Sequence, residues 1–272
     1  MYFFNSLQKV YKSTCTFPII HSNSLVLPYI YLSQITYIKA LSLQQYLVKN
    51  RIGNKLDNVL LLVQHPPTYT TGRRGKEKSE DERIRLQEFG ADYYETLRGG
   101  QVTFHGPGQL VGYPILNIRN FKLSVRSYVA ALEQMIIDTC ATYGIKAKTT
   151  EYTGVWVNDE EKLCAIGIQI QRYITSHGFA LNCNTDLNWF NHIMPCGLED
   201  KQMTSISKEL NKLRNKNEMM EVSVEDVLPN LCKSFGKVFN CNIVSLHELN
   251  DEKYLQLKNA ILNFQKNIHN LK

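Results

Sequence analysis

The run Val59-Leu60-Leu61-Leu62-Val63 restricts the fold more than any other part of the chain. It is a strand-length stretch of consecutive apolar residues with no polar residue inside it. Such a run is typical of a strand that is buried on both faces. A sheet containing it needs helices on both sides. We therefore predict an α/β fold, a mixed sheet flanked by helices.

The clearest helix is predicted over residues 124–143, where apolar residues recur at helical spacing. Ser124 is a suitable N-cap and Gly144 a suitable stop. Shorter patterns predict helices over 32–47 and 223–239, a hairpin formed by 155–157 and 163–170, a strand over 179–183 and a helix-compatible polar tail. The prolines and glycines of residues 64–76 indicate a loop, and the charges of 76–90 indicate a surface segment.

Composition narrows the class of partner. The chain has 272 residues, of which 43% are hydrophobic and 21% charged, and a net charge of +6. Its basic residues form no cluster or nucleic-acid motif, and no apolar run approaches the roughly 18 residues that span a bilayer. We expect neither a nucleic-acid partner nor a membrane partner. A modest basic surface suits acidic protein partners.

The cysteines argue against a disulfide framework and against zinc. There are seven, an odd number, and no two have CxxC spacing. A reducing compartment is the simplest reading, with most of these thiols acting as small buried apolar groups. The positions are Cys15, Cys140, Cys164, Cys183, Cys196, Cys232 and Cys241.

The N-terminal segment is unlike the rest of the chain. No acidic residue precedes Asp57, and the opening residues are aromatic, hydroxylated and weakly basic. This pattern is typical of an organelle transit peptide, which we place at residues 1–27. The alternative is a poorly ordered N-terminal extension.

A glycine-rich stretch, RGGQVTFHGPGQLVGYP, runs from Arg98 to Pro114. Gly99-Gly100 permits close approach of backbone to a ligand or a positive φ. A short strand over 102–104 would carry His105 to its end, next to a turn at Gly106-Pro107-Gly108. Neither nucleotide fingerprint, GxxxxGK[ST] or GxGxxG, is present. The stretch is either a substrate cradle with Arg98 and His105 nearby, or a tight turn between core strands.

Three further residues could carry chemistry. Cys196 lies between a proline and a glycine in a probable loop, and a catalytic thiol there needs a cation or base to lower its pKa from about 8.5. Lys162 opens a strand and could be that cation. His177 precedes a glycine and alternating apolar residues, and could line an acyl channel. The alternatives are a structural cysteine, a solvated lysine and a structural histidine.

Taken in order, RGGQVTFHGPGQ, KLCAIG, SHGFALN and MPCG followed by MTSI resemble the lipoyl(octanoyl) transferases over roughly residues 28–240. This resemblance implies a catalytic domain like that of biotin and lipoate protein ligases (BPL/LPL-like), over 28–250, followed by a helical tail over 251–272. It implies that Cys196 is the acyl-thioester nucleophile and Lys162 its partner. The implied substrate-binding residues are Arg98, Gly99, Gly100, Gln101, Val102, Thr103, Phe104, His105, Ala165, Ile166, Gly167, Gly178, Phe179 and Ala180, with His177 in support. Phe104 stands where the family commonly has tyrosine.

The resemblance also implies the reaction and its partners. An octanoyl or lipoyl group would arrive on the phosphopantetheine of acyl carrier protein and leave on a lysine of a lipoyl domain. The acceptors would be the glycine cleavage H protein and the E2 subunits of 2-oxoacid dehydrogenases, in the mitochondrial matrix. Neither ATP nor a metal is expected. The competing hypotheses are an ATP-using lipoate or biotin protein ligase, a non-catalytic acyl-binding protein and a cysteine hydrolase.

Overall fold

The computed structural model describes residues 25–75, 80–193, 201–214 and 219–269. The predicted transit peptide, apart from residues 25–27, and the predicted nucleophile Cys196 lie outside them. The strands are β1 (Leu25–Gln34), β2 (Val59–Gln64), β3 (Thr68–Thr71), β4 (Asp92–Glu95), β5 (Thr103–His105), β6 (Gln109–Ile115), β7 (Val155–Trp156), β8 (Glu161–Gln171), β9 (Ile174–Asn182), β10 (Gln202–Met203) and β11 (Cys241–Ser245). The helices are α1 (Tyr37–Ile52), α2 (Glu80–Glu88), α3 (Val125–Ala141), α4 (Ile206–Leu213), α5 (Val224–Val238) and α6 (Glu252–His269).

A mixed sheet forms the centre of the fold, in the order β10-β8-β9-β6-β2-β1-β11, with β7 paired to β8. The pairs β1–β2, β1–β11 and β8–β10 are parallel, and the others are antiparallel. Side chains of α3, α4 and α5 share one apolar core with one face, and those of α1 and α6 share a second core with the other. The predicted α/β class, a mixed sheet flanked by helices, is confirmed. A small sheet, β4-β3-β5, stands beside it.

The run at 59–63 behaves as predicted. It forms β2, between β1 and β6, and every one of its residues is buried. Leu60 and Leu62 pack in the first core, whereas Val59, Leu61 and Val63 pack in the second. Both faces of the strand are therefore covered, because side chains alternate along it.

Local patterns also located α3, the β7–β8 hairpin and α5. Ser124 caps α3 through a capping box with Ser127. Gly144, just past the helix, has φ +73°, the left-handed conformation that glycine adopts readily. Ser223 and Asp226 form an equivalent capping box at the start of α5, and Pro229 lies inside that helix.

Two local predictions were wrong. The helix predicted from residue 32 begins at Tyr37, because the preceding residues pair as β1 with β2 and β11. The predicted loop at 64–76 contains β3, whose residues Thr68–Thr71 are buried between β4 and β5. The β-branched and aromatic residues of β3 favour a strand. Both predictions were wrong because these segments pair with parts of the chain that are distant in sequence. The described part of 76–90 is α2, exposed except for a few residues such as Leu86.

Both ends of the described chain are part of the same packed body. Strand β1 already begins at Leu25, and Leu27 is fully buried, so residues 25–27 belong to the sheet and not to the predicted extension. Helix α6 buries Tyr254, Leu257 and Ile261 in the core shared with α1. None of the helices in the described ranges is long and apolar enough to cross a bilayer.

Candidate functional site

A cavity of about 270 Å³ opens between the two sheets. Its walls come from β8, β9 and β6, from β5 and the turn before it, from the start of α1 and from the loop at 151–153. Lys162 lines it, together with every predicted substrate-binding residue except Gly99 and Phe104. Thus segments far apart in sequence meet around one space. The roles of these residues in binding stay predictions.

Phe104 lies outside the cavity because side chains alternate along β5. Its neighbours in the strand, Thr103 and His105, line the cavity. The ring of Phe104 is fully buried on the other side, stacked 5.0 Å from the Trp189 ring and edge-on to Phe190. In this position an aromatic ring packs without needing a hydroxyl group.

Small residues let the loop at 98–100 lie directly on β8. In the β8–β9 ladder Ala165 pairs with Ala180 and Gly167 with Gly178. The Gly99 N–H donates to the Ile168 carbonyl at 2.9 Å, and a Cβ on Gly167 would stand only 2.9 Å from the Gly99 oxygen. Gly100 has φ +92°, a conformation that side-chain-bearing residues rarely adopt. Gly99 therefore supports the cavity wall from behind.

Arg98 is a buried cation that holds this loop in place. Its Nη2 donates to the Thr70 carbonyl (2.7 Å), the Thr70 hydroxyl (2.8 Å) and the Gln101 carbonyl (3.0 Å). Burial lowers the pKa of the guanidinium. Among the described residues no carboxylate pairs with it. The wall of the cavity therefore carries a positive charge that water does not screen well.

His105 belongs to a hydrogen-bond chain that runs behind the cavity. Its Nδ1–H donates to Gln109 Oε1 at 2.9 Å, because the Gln109 amide nitrogen already donates to Asn182 Oδ1. The Asn182 amide donates to the Thr204 carbonyl at 2.9 Å. His105 Nε2 is then an acceptor for the Thr70 hydroxyl, at 3.2 Å. Burial, with His65 and Arg98 nearby, holds the pKa of His105 well below its usual range, so the ring is neutral.

Lys162 is buried, with only 6% of its surface exposed, so the alternative of a solvated lysine was wrong. Its ammonium lies 5.0 Å from the centroid of the Trp156 ring, an arrangement that stabilises a cation out of water. The loop at 151–154 covers its stem. A Cβ on Gly154, which has φ +126°, would stand 2.5 Å from Lys162 Cε. The lysine is therefore held at the cavity wall.

The chain resumes beside Lys162 after the segment that contains Cys196. Met203 pairs with Lys162 in the β8–β10 ladder and lines the cavity. The Thr204 N–H donates to the Lys162 carbonyl at 2.9 Å. Cys196 itself lies outside the described residues, so its distance from Lys162 stays a prediction.

The cysteines that the structure describes are poor candidates for a nucleophile. All five are buried, as predicted for small apolar groups: Cys140, Cys164, Cys183, Cys232 and Cys241. Burial raises the pKa of Cys140 and of Cys241 to about 12, and that of Cys164 well above its usual value. A thiol with a raised pKa stays protonated at neutral pH, whereas the thiolate is the form that attacks an acyl group.

Several residues of the cavity wall were not predicted. They are Tyr37, Arg74, Val111, Tyr113, Glu151, Tyr152, Thr153 and Met203. Tyr113 donates from its hydroxyl to His65 Nε2 at 2.7 Å, and the His65 Nδ1–H donates to the Ile35 carbonyl at 2.6 Å. Burial lowers the pKa of His65 to about 4. No local sequence signal marks Tyr37, whereas Tyr113, Gln109, Asn182 and Thr204 fall inside segments quoted above.

In the described ranges, no group of three or more His, Cys, Asp or Glu side chains is placed to hold a metal ion. The polar side chains of the cavity wall include two arginines, Lys162, Glu151, the histidines, the tyrosines, Gln101 and two threonines. Its remaining surface comes largely from strand residues with small or apolar side chains, such as Ala165, Ile166 and Ala180. This combination suits a ligand with an alkyl chain.

Comparisons with known proteins agree with this geometry. Residues 36–236, more than half of the chain, match the lipoyl protein ligase A/B catalytic domain. In solved structures, a lipoate-protein ligase A bound with ATP aligns with a TM-score of 0.62 at 12% identity, over 89% of this chain and 95% of that chain. A putative lipoate protein ligase from T. acidophilum aligns with a TM-score of 0.61, over the same shares. At such identity these structures show the fold alone.

Curated relatives are much closer in sequence. The mitochondrial octanoyl-[acyl-carrier-protein]:protein N-octanoyltransferase of Danio rerio is 47% identical, over 79% of this chain and 92% of that protein. A putative mitochondrial lipoyltransferase 2 of Drosophila melanogaster is 48% identical, over 76% and 87%. The octanoyltransferase of Caldicellulosiruptor saccharolyticus is 42% identical, over 84% and 95%. With its fold, its cavity and these relatives, the chain belongs to the lipoyl(octanoyl) transferase family of acyltransferases.

Proposed function

We propose that the protein transfers an octanoyl group from acyl carrier protein to a lysine of lipoyl domains, through a thioester on Cys196. The observation that carries this proposal is a buried lysine, Lys162, at one side of a cavity lined by apolar strand residues. The names of two relatives, octanoyl-[acyl-carrier-protein]:protein N-octanoyltransferases, support the reaction.

The cavity supplies binding energy for an alkyl chain. Each buried methylene contributes about 0.8 kcal/mol, so the methylenes of an octanoyl group contribute about 5 kcal/mol when fully buried. Ala165, Ile166 and Ala180 provide apolar contacts along β8 and β9. The small side chains of Ala165 and Ala180, which pair in the β8–β9 ladder, leave room for the chain in the cavity.

In the first step the Cys196 thiolate attacks the carbonyl carbon of the octanoyl thioester. A new C–S bond forms at Cys196, the bond to the phosphopantetheine sulfur breaks, and that sulfur leaves as a thiolate that would take up a proton from the Lys162 ammonium, which leaves Lys162 as a neutral amine for the second step. The Lys162 ammonium would stabilise the attacking thiolate and lower the pKa of the Cys196 thiol. Exchange of one thioester for another is nearly balanced in free energy.

In the second step the neutral amine of an acceptor lysine attacks the acyl-enzyme. A C–N bond forms, the C–S bond to Cys196 breaks, and the amine releases a proton while the Cys196 thiolate is regenerated. Lys162, or a water held by it, would accept that proton. Forming an amide from a thioester is downhill, so we propose that neither ATP nor a metal takes part.

The partners follow from the same chemistry. The donor is acyl carrier protein, and we propose as acceptors the lipoyl domains of the glycine cleavage H protein and of 2-oxoacid dehydrogenase E2 subunits. A net charge of +6 would raise the rate of encounter with acidic partners at low salt. Relatives from fish, fly, human and plant are named mitochondrial, which supports a mitochondrial location. We propose the matrix, because the segment before Asp57 lacks acidic residues.

Intact-protein mass spectrometry tests this function. The protein is mixed with octanoyl-acyl carrier protein without ATP, and the added mass is mapped by peptide digestion. The expected result is one octanoyl group on Cys196, which disappears when an apo lipoyl domain is added. The Cys196→Ala variant should fold and take up no acyl group. Full transfer by that variant would reject the nucleophile, and strict dependence on ATP would favour a ligase.

A further inference from the structure

A second, larger space lies beyond the cavity. It is a groove of about 730 Å³ between α1, the β8–β9 hairpin and residues 95–97. His177 lines both spaces, and Gln44 of α1 lines the groove. His177 is therefore part of the wall that separates the cavity from the groove.

The backbone at His177 turns its side chain toward this wall. Alternation along β9 would place residue 177 on the same face as Phe179, which packs in the core below α3 and α5. His177 instead has φ +54°, a left-handed conformation. Its ring lies 6.5 Å from that of Tyr113. The backbone N–H of His177 donates to Gln44 Oε1 at 2.7 Å. One hydrogen bond thus ties the two residues across the gap between α1 and the sheet.

Position along the strands places this wall far from Lys162. His177 pairs with Ile168 on β8, which lies about 20 Å along the strand from Lys162 at roughly 3.3 Å per residue. Between Lys162 and Ile168, the β8–β9 ladder includes the pairs Ala165–Ala180 and Gly167–Gly178. The Lys162 side chain shortens this distance, because its Cε and the Cys164 carbonyl oxygen would both stand within 2.6 Å of a Cβ on Gly154. The loop at 98–100 covers Gly167, so an acyl chain whose carbonyl is near the lysine ammonium would run past Ala165 and Ala180 with its methyl end toward His177.

We propose that His177, held by Gln44, closes the far end of the acyl slot and limits the length of the acyl chain that the enzyme accepts. This inference rests on the proposed function. Both side chains are almost completely buried, at 3% for His177 and 1% for Gln44. In the described part of the chain His177 Nδ1 and Gln44 Nε2 have no hydrogen-bond partner.

The chemistry of the ring suits an alkyl end. Burial lowers the pKa of His177 to about 3, with Arg98 contributing, so the imidazole is uncharged at neutral pH. A neutral ring can contact a methyl group without a charged group being stripped of water. Removing the ring would join the cavity to the groove, whose walls include Leu41, Val48 and Ile52.

His177→Gly tests the proposal directly, because glycine adopts a positive φ without strain. The assay compares kcat/KM for dodecanoyl- and octanoyl-acyl carrier protein. The dodecanoyl-to-octanoyl ratio should rise at least about tenfold, because each methylene moved out of water contributes about a factor of four. Asn240→Gly is the matched control: Asn240 also has φ +48° but is exposed and does not line either space. It should keep the wild-type ratio.

A second readout separates this proposal from the proposed function. Calorimetric titration with free octanoate and dodecanoate measures the slot without any transfer step, and His177→Gly should favour dodecanoate by a similar factor. An unchanged preference in both assays would overturn the proposal. Loss of octanoyl transfer by the wild-type protein would instead reject the proposed function. If His177→Gly does not fold, Gln44→Ala removes the other half of the wall and should shift the ratio in the same direction.

Discussion

Gly167→Ala is expected to push the loop at 98–100 off β8. The added Cβ would stand 2.9 Å from the Gly99 oxygen and 3.2 Å from Arg98 Cδ. The oxygen belongs to backbone that is tied to β8 by the Gly99 N–H bond to Ile168, so relief requires moving the loop. Overpacking of this kind costs about 1–3 kcal/mol of unfolding free energy. The loop carries Arg98, Gly100 and Gln101 in the cavity wall, so kcat/KM for the acyl donor should fall as well.

The assay is urea unfolding followed by circular dichroism, with acyl-enzyme formation measured in parallel. Gly53→Ala is a matched control, because its Cβ would meet atoms no closer than 3.6 Å. Gly144→Ala separates the two causes: nothing lies within 4 Å, but φ is +73°, and the left-handed conformation costs a residue with a Cβ about 1–2 kcal/mol. If Gly167→Ala matches Gly53→Ala in stability and activity, close packing of the loop on β8 does not maintain the cavity.

Three further outcomes follow from the buried polar groups. Gln109→Leu should lower the unfolding free energy by about 2–4 kcal/mol, because buried donors and acceptors of the chain through His105 lose their partner; a urea midpoint equal to wild type would contradict this. Lys162→Met should slow formation of the acyl-enzyme by about 10²-fold or more, measured by rapid-quench mass spectrometry, and an unchanged rate would remove Lys162 from the mechanism. Burial lowers the pKa of His65 to about 4 and that of His177 to about 3, below the unfolded value of about 6.5. The unfolded state therefore binds protons first, and stability should fall as pH drops from about 6.5 to 4, by about 1.4 kcal/mol per pH unit for each group; equal urea midpoints at pH 7 and pH 5 would contradict this.

Local sequence patterns located the elements whose shape depends on their own residues. The apolar run of β2 and the caps of α3 and α5 are read directly from neighbouring side chains. Strands β1 and β3 were missed because they form by pairing with segments far along the chain. Pairing of that kind overrides local preference.

The residues of the candidate site also divide into those that a local sequence pattern marks and those that only the tertiary structure reveals. The resemblance named most of the cavity wall, because those residues lie inside continuous motifs. Tyr37 comes from a separate element and has no motif of its own, whereas Tyr113 lies inside the glycine-rich stretch without a pattern that marks it. The direction of His177 could not be read from alternation, because it depends on one positive φ. The hydrogen-bond chain from Thr70 to Thr204 joins strands of both sheets and needs the tertiary structure to be seen.

The proposed mechanism depends on activation of the Cys196 thiol by the Lys162 ammonium at the cavity. The most direct test is the pH dependence of alkylation of Cys196 by iodoacetamide, followed by peptide mass spectrometry. We expect an apparent pKa of the Cys196 thiol below the usual value of about 8.5 in the wild-type protein, and a return toward that value in Lys162→Met. Lys237→Met, at an exposed lysine paired with Asp138, should behave as wild type. An inflection near pH 8.5 that is the same with and without Lys162 would show that Lys162 does not activate the thiol.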